Sequence, residues 1–362
     1  MGSHAEAPLP PTPQPWVQTP LYRSTPLSRY AGCNIFLKLE TLQPSGSFKS
    51  RGIGNLMSRA IAVHPPNAPV HFYCSSGGNA GLACATAALS LHRPATIVVP
   101  TSTSQFMITK LRSMGAEVKQ IGAHWVEADA FLREELLVKD LNGVYVPPFD
   151  HPDVWAGNAT VMDEIEEQMH AYGGYDAVVC SVGGGGLFAG IMAGLENYGR
   201  LSRSSEPPKV LAVETEGAAS FAHSLREGQL SRLGAINTIA TSLGATQVAS
   251  RAYEFAISYP ETVKSVVFSD AEAAIASVCF GDDERVIVEA ACGVSIAAAY
   301  NGTIRKVVGQ GLTNEEYEKK NVVIVVCGGS NVTLGVLENY IETYGNDEKV
   351  LKGFGKRWRG DL

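Results

Sequence analysis

The sequence is poor in charged residues and has no long uninterrupted apolar run. Asp, Glu, Lys and Arg make up only 18% of the 362 residues, and no cluster of Lys and Arg is long enough to follow a nucleic-acid backbone. The best candidate for an apolar run, Val286 to Tyr300, contains Glu289 and is shorter than the roughly 18 residues that a membrane-spanning helix needs. We therefore expect neither a nucleic-acid partner nor insertion into a membrane.

Paired cysteines are also absent. The seven cysteines stand singly, without a C-x-x-C pair and without histidines at the spacing of a zinc site. A reducing compartment is the simplest interpretation, and most of the thiols are expected to be small buried hydrophobic groups. Residues 1–20 lack the basic and apolar regions of a secretory signal. The sequence therefore favours a cytoplasmic protein.

After a proline-rich arm, residues 1–20, short runs of β-branched residues alternate with helical patterns. This alternation predicts an α/β fold with open parallel sheets and helices on both faces. The predicted strands cover residues 35–40, 70–74, 95–99, 177–182, 210–213 and 322–327. The predicted helices cover residues 48–63, 79–92, 125–141, 187–199 and 270–280.

The segment Pro44–Gly52 (PSGSFKSRG) places Lys49 at the start of a predicted helix, after a strand and a glycine-containing turn. The positive end of the helix and partial burial both disfavour a protonated amine there. A lysine in this environment can act as a Schiff-base nucleophile near neutral pH. A surface lysine in the first turn of a helix is the alternative, and position alone does not decide between the two.

Two further glycine-rich segments follow predicted strands. Ser75–Gly81 (SSGGNAG) can form a nest of backbone amides that binds a carboxylate, although any tight strand-to-helix turn needs glycine. Val182–Gly190 (VGGGGLFAG) lets the backbone approach a phosphate closely without a lysine or arginine. Both segments therefore predict anion binding at the start of a helix.

The second of these segments also supports an alternative of a different class. Gly184, Gly186 and Ala189 fit the dinucleotide pattern G-x-G-x-x-A, and Glu214 ends the next predicted strand, as a ribose-binding acid would. A nicotinamide-dependent oxidoreductase would have both features. That alternative leaves Lys49 and Asn79 without a function.

A third strand ends in glycines at Val326–Asn331 (VCGGSN). Open α/β sheets bind their ligands at the carboxyl ends of the strands, where all three glycine-rich segments are expected to lie. Together with Lys49 they predict one cofactor site. A cofactor with a single phosphate and an aldehyde that requires a lysine describes pyridoxal phosphate better than a dinucleotide.

In this order, the segments SGSFK, SSGGNAG, GGGGL and CGGSN resemble those of the mammalian-type serine dehydratases, which are fold type II pyridoxal-phosphate enzymes. The resemblance extends from about residue 19 to about residue 334 and includes Pro147–Asp150 (PPFD) and Val213–Ala218 (VETEGA). It implies a tryptophan synthase β-like fold with two open parallel-sheet domains and the cofactor between them. The smaller domain, residues 43–148, would be inserted into a larger one formed by residues 21–42 and 149–362.

The resemblance also implies roles for individual residues. Lys49 would bind the cofactor as a Schiff base, Phe48 would pack against its pyridine ring, and Cys327, as a neutral buried thiol, would face the pyridine nitrogen. The main chain that would hold the phosphate belongs to Gly183, Gly184, Gly185, Gly186 and Leu187. The residues that would bind the substrate carboxylate are Ser76, Gly77, Asn79 and Ala80. Asn79 would also contact the phenolic oxygen of the cofactor.

In the family that the chain resembles, a monovalent cation, usually potassium, lies near the phosphate loop. The matching ligand positions are Gly183, Glu214, Ala218, Ser220, Leu243 and Ala245. Glu214 is open to three interpretations, as a cation ligand, a proton donor or a paired structural carboxylate. The resemblance implies a homodimer as well.

The activity implied is a lyase reaction, in which L-serine loses water and yields pyruvate and ammonia, and L-threonine yields 2-oxobutanoate. Other fold type II enzymes stay open as alternatives, although sulfhydrylases and cystathionine synthases usually have asparagine where this chain has Gln43. A non-enzymatic pyridoxal-phosphate-binding protein would need Lys49 but not Ser76 or Asn79. Relatives that racemise serine carry a serine at the position that matches Gly77.

Overall fold

Two sheets organise the part of the chain that the computed structural model describes, residues 14–202, 206–355 and 358. The larger sheet has six strands in the order β1-β2-β10-β7-β8-β9, and all neighbours are parallel except β1 and β2. Its strands are β1 (Leu21–Ser24), β2 (Asn34–Leu39), β7 (Ala177–Ser181), β8 (Lys209–Thr215), β9 (Val263–Phe268) and β10 (Asn321–Val326).

The smaller sheet has four parallel strands in the order β5-β4-β3-β6. Its strands are β3 (His71–Cys74), β4 (Ala95–Val99), β5 (Glu117–Gln120) and β6 (Gly143–Tyr145). The predicted α/β class is therefore confirmed. All four strands of this sheet lie between residues 43 and 148, the predicted boundaries of the smaller domain. The boundaries themselves stay a prediction.

Helices cover both sheets. They are α1 (Thr25–Ala31), α2 (Lys49–Val63), α3 (Asn79–Ser90), α4 (Gln105–Ser113), α5 (Trp125–Phe131), α6 (Pro152–Met169), α7 (Gly186–Asn197), α8 (Ser220–Glu227), α9 (Ser250–Ser258), α10 (Asp270–Glu284), α11 (Ala290–Tyr300), α12 (Thr303–Val308), α13 (Asn314–Glu318), α14 (Leu334–Tyr344) and α15 (Glu348–Gly353). Among the described helices, none combines the length and the apolar character that crossing a membrane requires.

Each sheet has its own apolar core. The central strands β7, β8 and β10 are buried along almost their whole length, as expected for parallel strands covered on both faces. Helix α11 packs on this sheet and α10 packs on α11, and α11 is buried at every position from Ala290 to Tyr300. The seven cysteines are all buried, which confirms the burial predicted for most of them.

The predicted helix at residues 125–141 is only partly right. Helix α5 ends at Phe131, a π-helical turn follows over Leu132–Leu136, and a short 3₁₀ turn ends at Lys139. Ala128 and Leu132 are buried, but Trp125 is 46% exposed. The buried face of this segment therefore begins at Ala128, one turn after the helix starts.

The proline-rich arm is described from residue 14 onwards, and residues 1–13 lie outside the described part. Residues 14–20 contain neither helix nor strand and pack along the start of α2. Val17 exchanges two hydrogen bonds with the Gln43 side chain, and Thr19 donates to Glu40 and Glu164. This segment is therefore fixed against the larger sheet by specific polar contacts.

Candidate active site

The three glycine-rich strand ends lie at the carboxyl edges of the two sheets. Strands β7 and β10 are parallel neighbours, so the loops that follow them leave the same edge. The loop after β10 also reaches the segment that precedes α2, because Phe48 N donates to the Cys327 carbonyl at 3.1 Å. It reaches the start of α3 as well, where Ser330 N donates to Asn79 Oδ1 at 2.9 Å. The predicted segments are thus brought together around one place.

Lys49 is the first residue of α2, as predicted. Its Nζ donates to the Pro148 carbonyl. Part of the residue reaches solvent, but the amine lies among densely packed groups, and this burial lowers the pKa of Lys49 to about 8. The nearby Cys74 and Cys327 thiols oppose the shift only weakly. The amine is therefore available as a neutral nucleophile near physiological pH.

The loop after β3 holds the residues predicted to bind a carboxylate. Ser76 Oγ accepts from Gly78 N at 3.3 Å, and Asn79 begins α3, whose first-turn amides point toward the loop. Gly77 has no space for a side chain, because a Cβ there would lie 2.8 Å from Thr103 Cγ2. Ala80 is buried in the core of the smaller sheet. The loop is thus narrow and rich in backbone donors.

The loop after β7 is a tight cradle. Gly185 has a φ of 82° and caps α7, a conformation that favours glycine. A Cβ on Gly184 would lie 2.2 Å from the Phe149 ring, and one on Gly183 would lie 2.9 Å from Leu243 Cα. The α7 N-terminus therefore offers backbone amides and its positive dipole end to an anion, with Leu187 buried behind it. This geometry fits a phosphate group.

Cys327 lies one residue beyond β10 and is 6% exposed. Its Sγ is 3.4 Å from Ser181 Oγ, at the end of the neighbouring strand β7. A polar pair at the carboxyl edge of a parallel sheet lies where such sheets bind ligands. Phe48 is partly buried and packs against the same core.

Residues 13–328 match the family model described as "Pyridoxal-phosphate dependent enzyme". The chain belongs to this family. It is 40% identical over 337 residues to the human "L-serine dehydratase/L-threonine deaminase", covering 93% of this chain and 98% of that protein. It is 39% identical over 338 residues to the "Catabolic L-serine/threonine dehydratase" of Saccharomyces cerevisiae, covering 89% and 91%.

A solved structure supports the same grouping. The fungal L-serine ammonia-lyase from Rhizomucor miehei superposes with a TM-score of 0.82 at 34% identity, covering 91% of this chain and 99% of that one. The fold type II architecture is therefore confirmed, and pyridoxal phosphate is the cofactor of the family. The residues fit it, since a buried lysine with a lowered pKa and a side-chain-free cradle at a helix N-terminus supply an amine and a phosphate site.

The position of Glu214 contradicts the oxidoreductase alternative, which needs this residue to bind a ribose. Its side chain is fully buried, and its two carboxylate oxygens accept from Phe221 N and Ala222 N at 2.8 Å each. The carboxylate is therefore buried against the first turn of α8 instead of being exposed to a ribose. Burial raises the pKa of Glu214 to about 8, although the two amides oppose this shift.

The six residues predicted to hold a monovalent cation lie in three chain segments, Gly183 after β7, Glu214 to Ser220 at the end of β8 and after it, and Leu243 to Ala245. Gly183 packs against Leu243, and Glu214 contacts the residues that follow Ser220. Ser220 Oγ is buried without a hydrogen-bond partner, and such an orphaned hydroxyl is a candidate cation ligand. Ala218 is buried, and Ala245 N donates to the Leu243 carbonyl at 2.7 Å. Within the described ranges, no group of three or more His, Cys, Asp or Glu residues is arranged to hold a metal.

Sequence reasoning missed several groups around the site. Asp129 accepts from Ser75 Oγ at 2.6 Å, directly before the carboxylate loop, and from Tyr145 OH at 2.8 Å. Asn158 Nδ2 donates to the Gly186 carbonyl at 2.9 Å and so fixes the phosphate cradle from outside. These residues lie on helices with ordinary amphipathic patterns, and only the tertiary structure brings them to the loops.

Proposed function

We propose that the protein is a lyase that deaminates L-serine to pyruvate and ammonia, and L-threonine to 2-oxobutanoate and ammonia, by eliminating the β-hydroxyl as water and then hydrolysing the resulting imine. The observation that carries the proposal is the buried Lys49 amine, which lies with the phosphate cradle and the carboxylate loop at the edges of the two sheets. Relatives that span nearly the whole chain carry the names serine dehydratase, threonine deaminase and serine ammonia-lyase. The water lost in the elimination is balanced by the one water that hydrolyses the imine, so the net products from serine are pyruvate and ammonia.

In this proposal the cofactor, when bound, supplies the electron sink that stabilises negative charge at the substrate Cα. Lys49 binds the cofactor covalently and, once displaced by the substrate amine, removes the Cα proton. The main chain of Gly183–Leu187 holds the phosphate. Phe48 would pack against the pyridine ring, and Cys327 would face the pyridine nitrogen.

The loop after β3 orients the substrate. Ser76, Gly77, Asn79 and Ala80 bind the carboxylate through the hydroxyl, the side-chain amide and the backbone donors at the start of α3. Asn79 also contacts the phenolic oxygen of the cofactor. The leaving β-hydroxyl needs a proton, which the cofactor phosphate would be first placed to supply and Glu214 second.

The decisive experiment is an assay of purified holoprotein with L-serine, in which pyruvate and ammonia are measured in equal amounts. D-serine and O-acetyl-L-serine with sulfide serve as comparison substrates. Formation of pyruvate from L-serine, but from neither comparison substrate, supports the proposal. A cofactor-loaded protein that forms no keto acid from L-serine or L-threonine would contradict it and favour a non-enzymatic pyridoxal-phosphate-binding protein.

Racemisation of serine is expected to be negligible. Reprotonation of Cα from the face opposite Lys49 requires an acid there, and Gly77 carries no side chain and is closed in by Thr103. Chiral chromatography of the reaction mixture should find D-serine below about one part in a hundred of the pyruvate, a difference of about 2.7 kcal/mol between the two barriers. Comparable amounts of D-serine and pyruvate would mean that another residue supplies the proton.

Potassium activation is expected to depend on pH through Glu214. With a pKa of about 8 in the cation-free protein, Glu214 is mostly protonated at neutral pH, and a cation that binds the carboxylate must displace the proton. The apparent potassium affinity should therefore rise about tenfold between about pH 7 and about pH 9. Potassium titrations of activity measure this, and Glu214→Gln should remove the pH dependence. Equal affinities at both pH values would exclude Glu214 as a ligand.

Cys327 is expected to favour elimination over transamination because a thiol cannot hold a proton on the pyridine nitrogen as a carboxylate can. Cys327→Asp should slow pyruvate formation at least tenfold and cause inactivation during turnover that fresh cofactor reverses. Progress curves with and without added cofactor measure both effects, and Cys327→Ser, which stays neutral, is the matched control. If both variants behave alike, Cys327 acts only in packing.

The finer assignments from the sequence belong to the same proposal. They comprise a potassium ion near the phosphate cradle, a homodimer, a cytoplasmic location, and a smaller domain of residues 43–148 inserted into a larger one. Size-exclusion chromatography with light scattering tests the dimer directly.

A further inference from the structure

Glu289 is a buried carboxylate that has no role in the proposed reaction. It directly precedes α11 and is 5% exposed. It is also the residue that interrupts the apolar run 286–300 in the sequence. Burying a carboxylate costs free energy unless hydrogen bonds compensate, so the groups that contact it indicate its function.

Donors from three loops converge on this carboxylate. Asn79 Nδ2 donates to Oε1 at 3.0 Å, Ser242 Oγ donates to Oε2 at 2.5 Å, and Asn331 N donates to Oε1 at 2.8 Å. All three donors are neutral. Gly329, with a φ of 124°, leaves room for the side chain, since a Cβ there would lie 2.3 Å from Glu289 Cδ. The loop after β10 is therefore shaped to admit this carboxylate.

The contacts of Asn79 fix which way its amide faces. A carboxylate only accepts hydrogen bonds, so the NH₂ group of the amide must face Glu289. The backbone N–H of Ser330 donates to Oδ1 at 2.9 Å, which requires the same orientation. The other contact of Nδ2, with Ser242 Oγ, is longer at 3.2 Å.

The same contacts join the two sheets. Asn79 begins α3, which packs on the smaller sheet, whereas Glu289 and Ser242 lie in loops of the larger one. Lys110 on α4 adds a second link, because its Nζ donates to the Ser330 carbonyl at 3.0 Å. The Glu289 carboxylate therefore lies where the loop after β3 meets loops of the larger sheet.

We propose that Glu289 is a positioning residue that fixes the side-chain amide of Asn79 with an N–H toward the cofactor. The inference rests on the proposed function, in which Asn79 contacts the phenolic oxygen. Because Glu289 accepts from one N–H of Asn79 and Ser330 N donates to Oδ1, the amide cannot turn its own carbonyl oxygen toward the cofactor, where two acceptors would repel each other. The second N–H, which donates to Ser242 Oγ at 3.2 Å in this structure, would turn to the phenolic oxygen when the cofactor binds. Glu289 thus acts through Asn79 and does not touch the reacting atoms.

A double-mutant cycle with a spectroscopic readout tests this inference. The visible absorption band of the bound cofactor is recorded for wild type, Glu289→Gln, Asn79→Ala and the double variant, and kcat/KM for L-serine is measured in parallel. Glu284→Gln is the matched control, because both carboxylate oxygens of Glu284 also accept hydrogen bonds from neutral donors, Tyr22 OH at 2.6 Å and Ser24 Oγ at 2.5 Å, but Glu284 does not contact Asn79. If Glu289→Gln does not fold, Glu289→Asp takes its place in the cycle.

We expect Glu289→Gln to bind the cofactor, to shift its visible band in the same direction as Asn79→Ala, and to lower kcat/KM about 10²-fold. The double variant should be no worse than Asn79→Ala alone, because both changes remove one interaction. Additive losses, or a band that Asn79→Ala shifts and Glu289→Gln does not, would overturn the inference. A band that Asn79→Ala leaves unchanged would instead contradict the contact assumed in the proposed function, and the inference would fall with it.

Discussion

Replacing Lys49 with alanine is expected to leave the protein colourless and without measurable turnover. The proposal gives this amine two functions, covalent attachment of the cofactor and removal of the Cα proton. General acid–base catalysis alone contributes about 10² to 10⁴ in rate, so the loss of both functions should exceed that range. Absorbance of the purified variant and its rate of pyruvate formation measure the two effects separately.

The matched control for this variant is Lys139→Ala, which removes an amine whose side chain is 68% exposed. That variant should stay yellow and fully active. Borohydride reduction followed by peptide mapping adds a direct check, because it should leave the cofactor on Lys49 in the wild type. A yellow and active Lys49→Ala protein would show that the site lies elsewhere.

Replacing Arg51 with methionine is expected to cost about 3–5 kcal/mol of the free energy of unfolding. The guanidinium is fully buried and contacts Glu40 at 2.7 Å and Glu164 at 2.6 Å. Burial lowers the pKa of Arg51, but hydrogen bonds and charge from Glu40 and Glu164 outweigh burial and raise it above its ordinary value. Without the guanidinium, Glu40 is left buried without its cation, whereas Glu164 still has Lys38 at 2.5 Å.

Urea unfolding followed by circular dichroism measures this loss. Arg59→Met on the same helix is the control, since Arg59 is 61% exposed and its contact with Asp153 is expected to contribute about 0–1 kcal/mol. Adding Glu40→Leu to Arg51→Met should recover part of the stability, because the unpaired carboxylate is then removed. Equal losses for Arg51→Met and Arg59→Met would show that the buried network contributes little.

The strands that hold the site could be predicted because buried parallel strands have a distinctive composition. The runs that end at Cys74, Ser181 and Val326 are almost wholly apolar and are followed by glycines, and the structure confirms all three. The start of α2 was also predictable, since a glycine-containing turn precedes it. The candidate site was therefore visible in the sequence as a set of strand ends.

Other elements carried weaker signals. Strand β5 is a polar edge strand, and β9 is buried only at its two end residues, Val263 and Phe268, so neither resembles the central strands. Helix α11 is apolar on every face, which removes the periodicity that identifies a surface helix. Glu289 was noticed only as a charge in an apolar run, because its partner Asn79 lies 210 residues away in the chain.

The parallel pairing of β2 with β10 has a consequence for the order of folding. Leu39 pairs with Val326, so the strand beside the Lys49 helix has a partner that is synthesised near the end of the chain. The entropy of closing so long a loop must be overcome before this pairing contributes any stability. The smaller sheet, whose strands lie within residues 71–145, needs no such closure and can form while the ribosome is still translating. The cofactor pocket is therefore a late product of folding, and nascent chains acquire the ability to bind pyridoxal phosphate only after β10 has emerged.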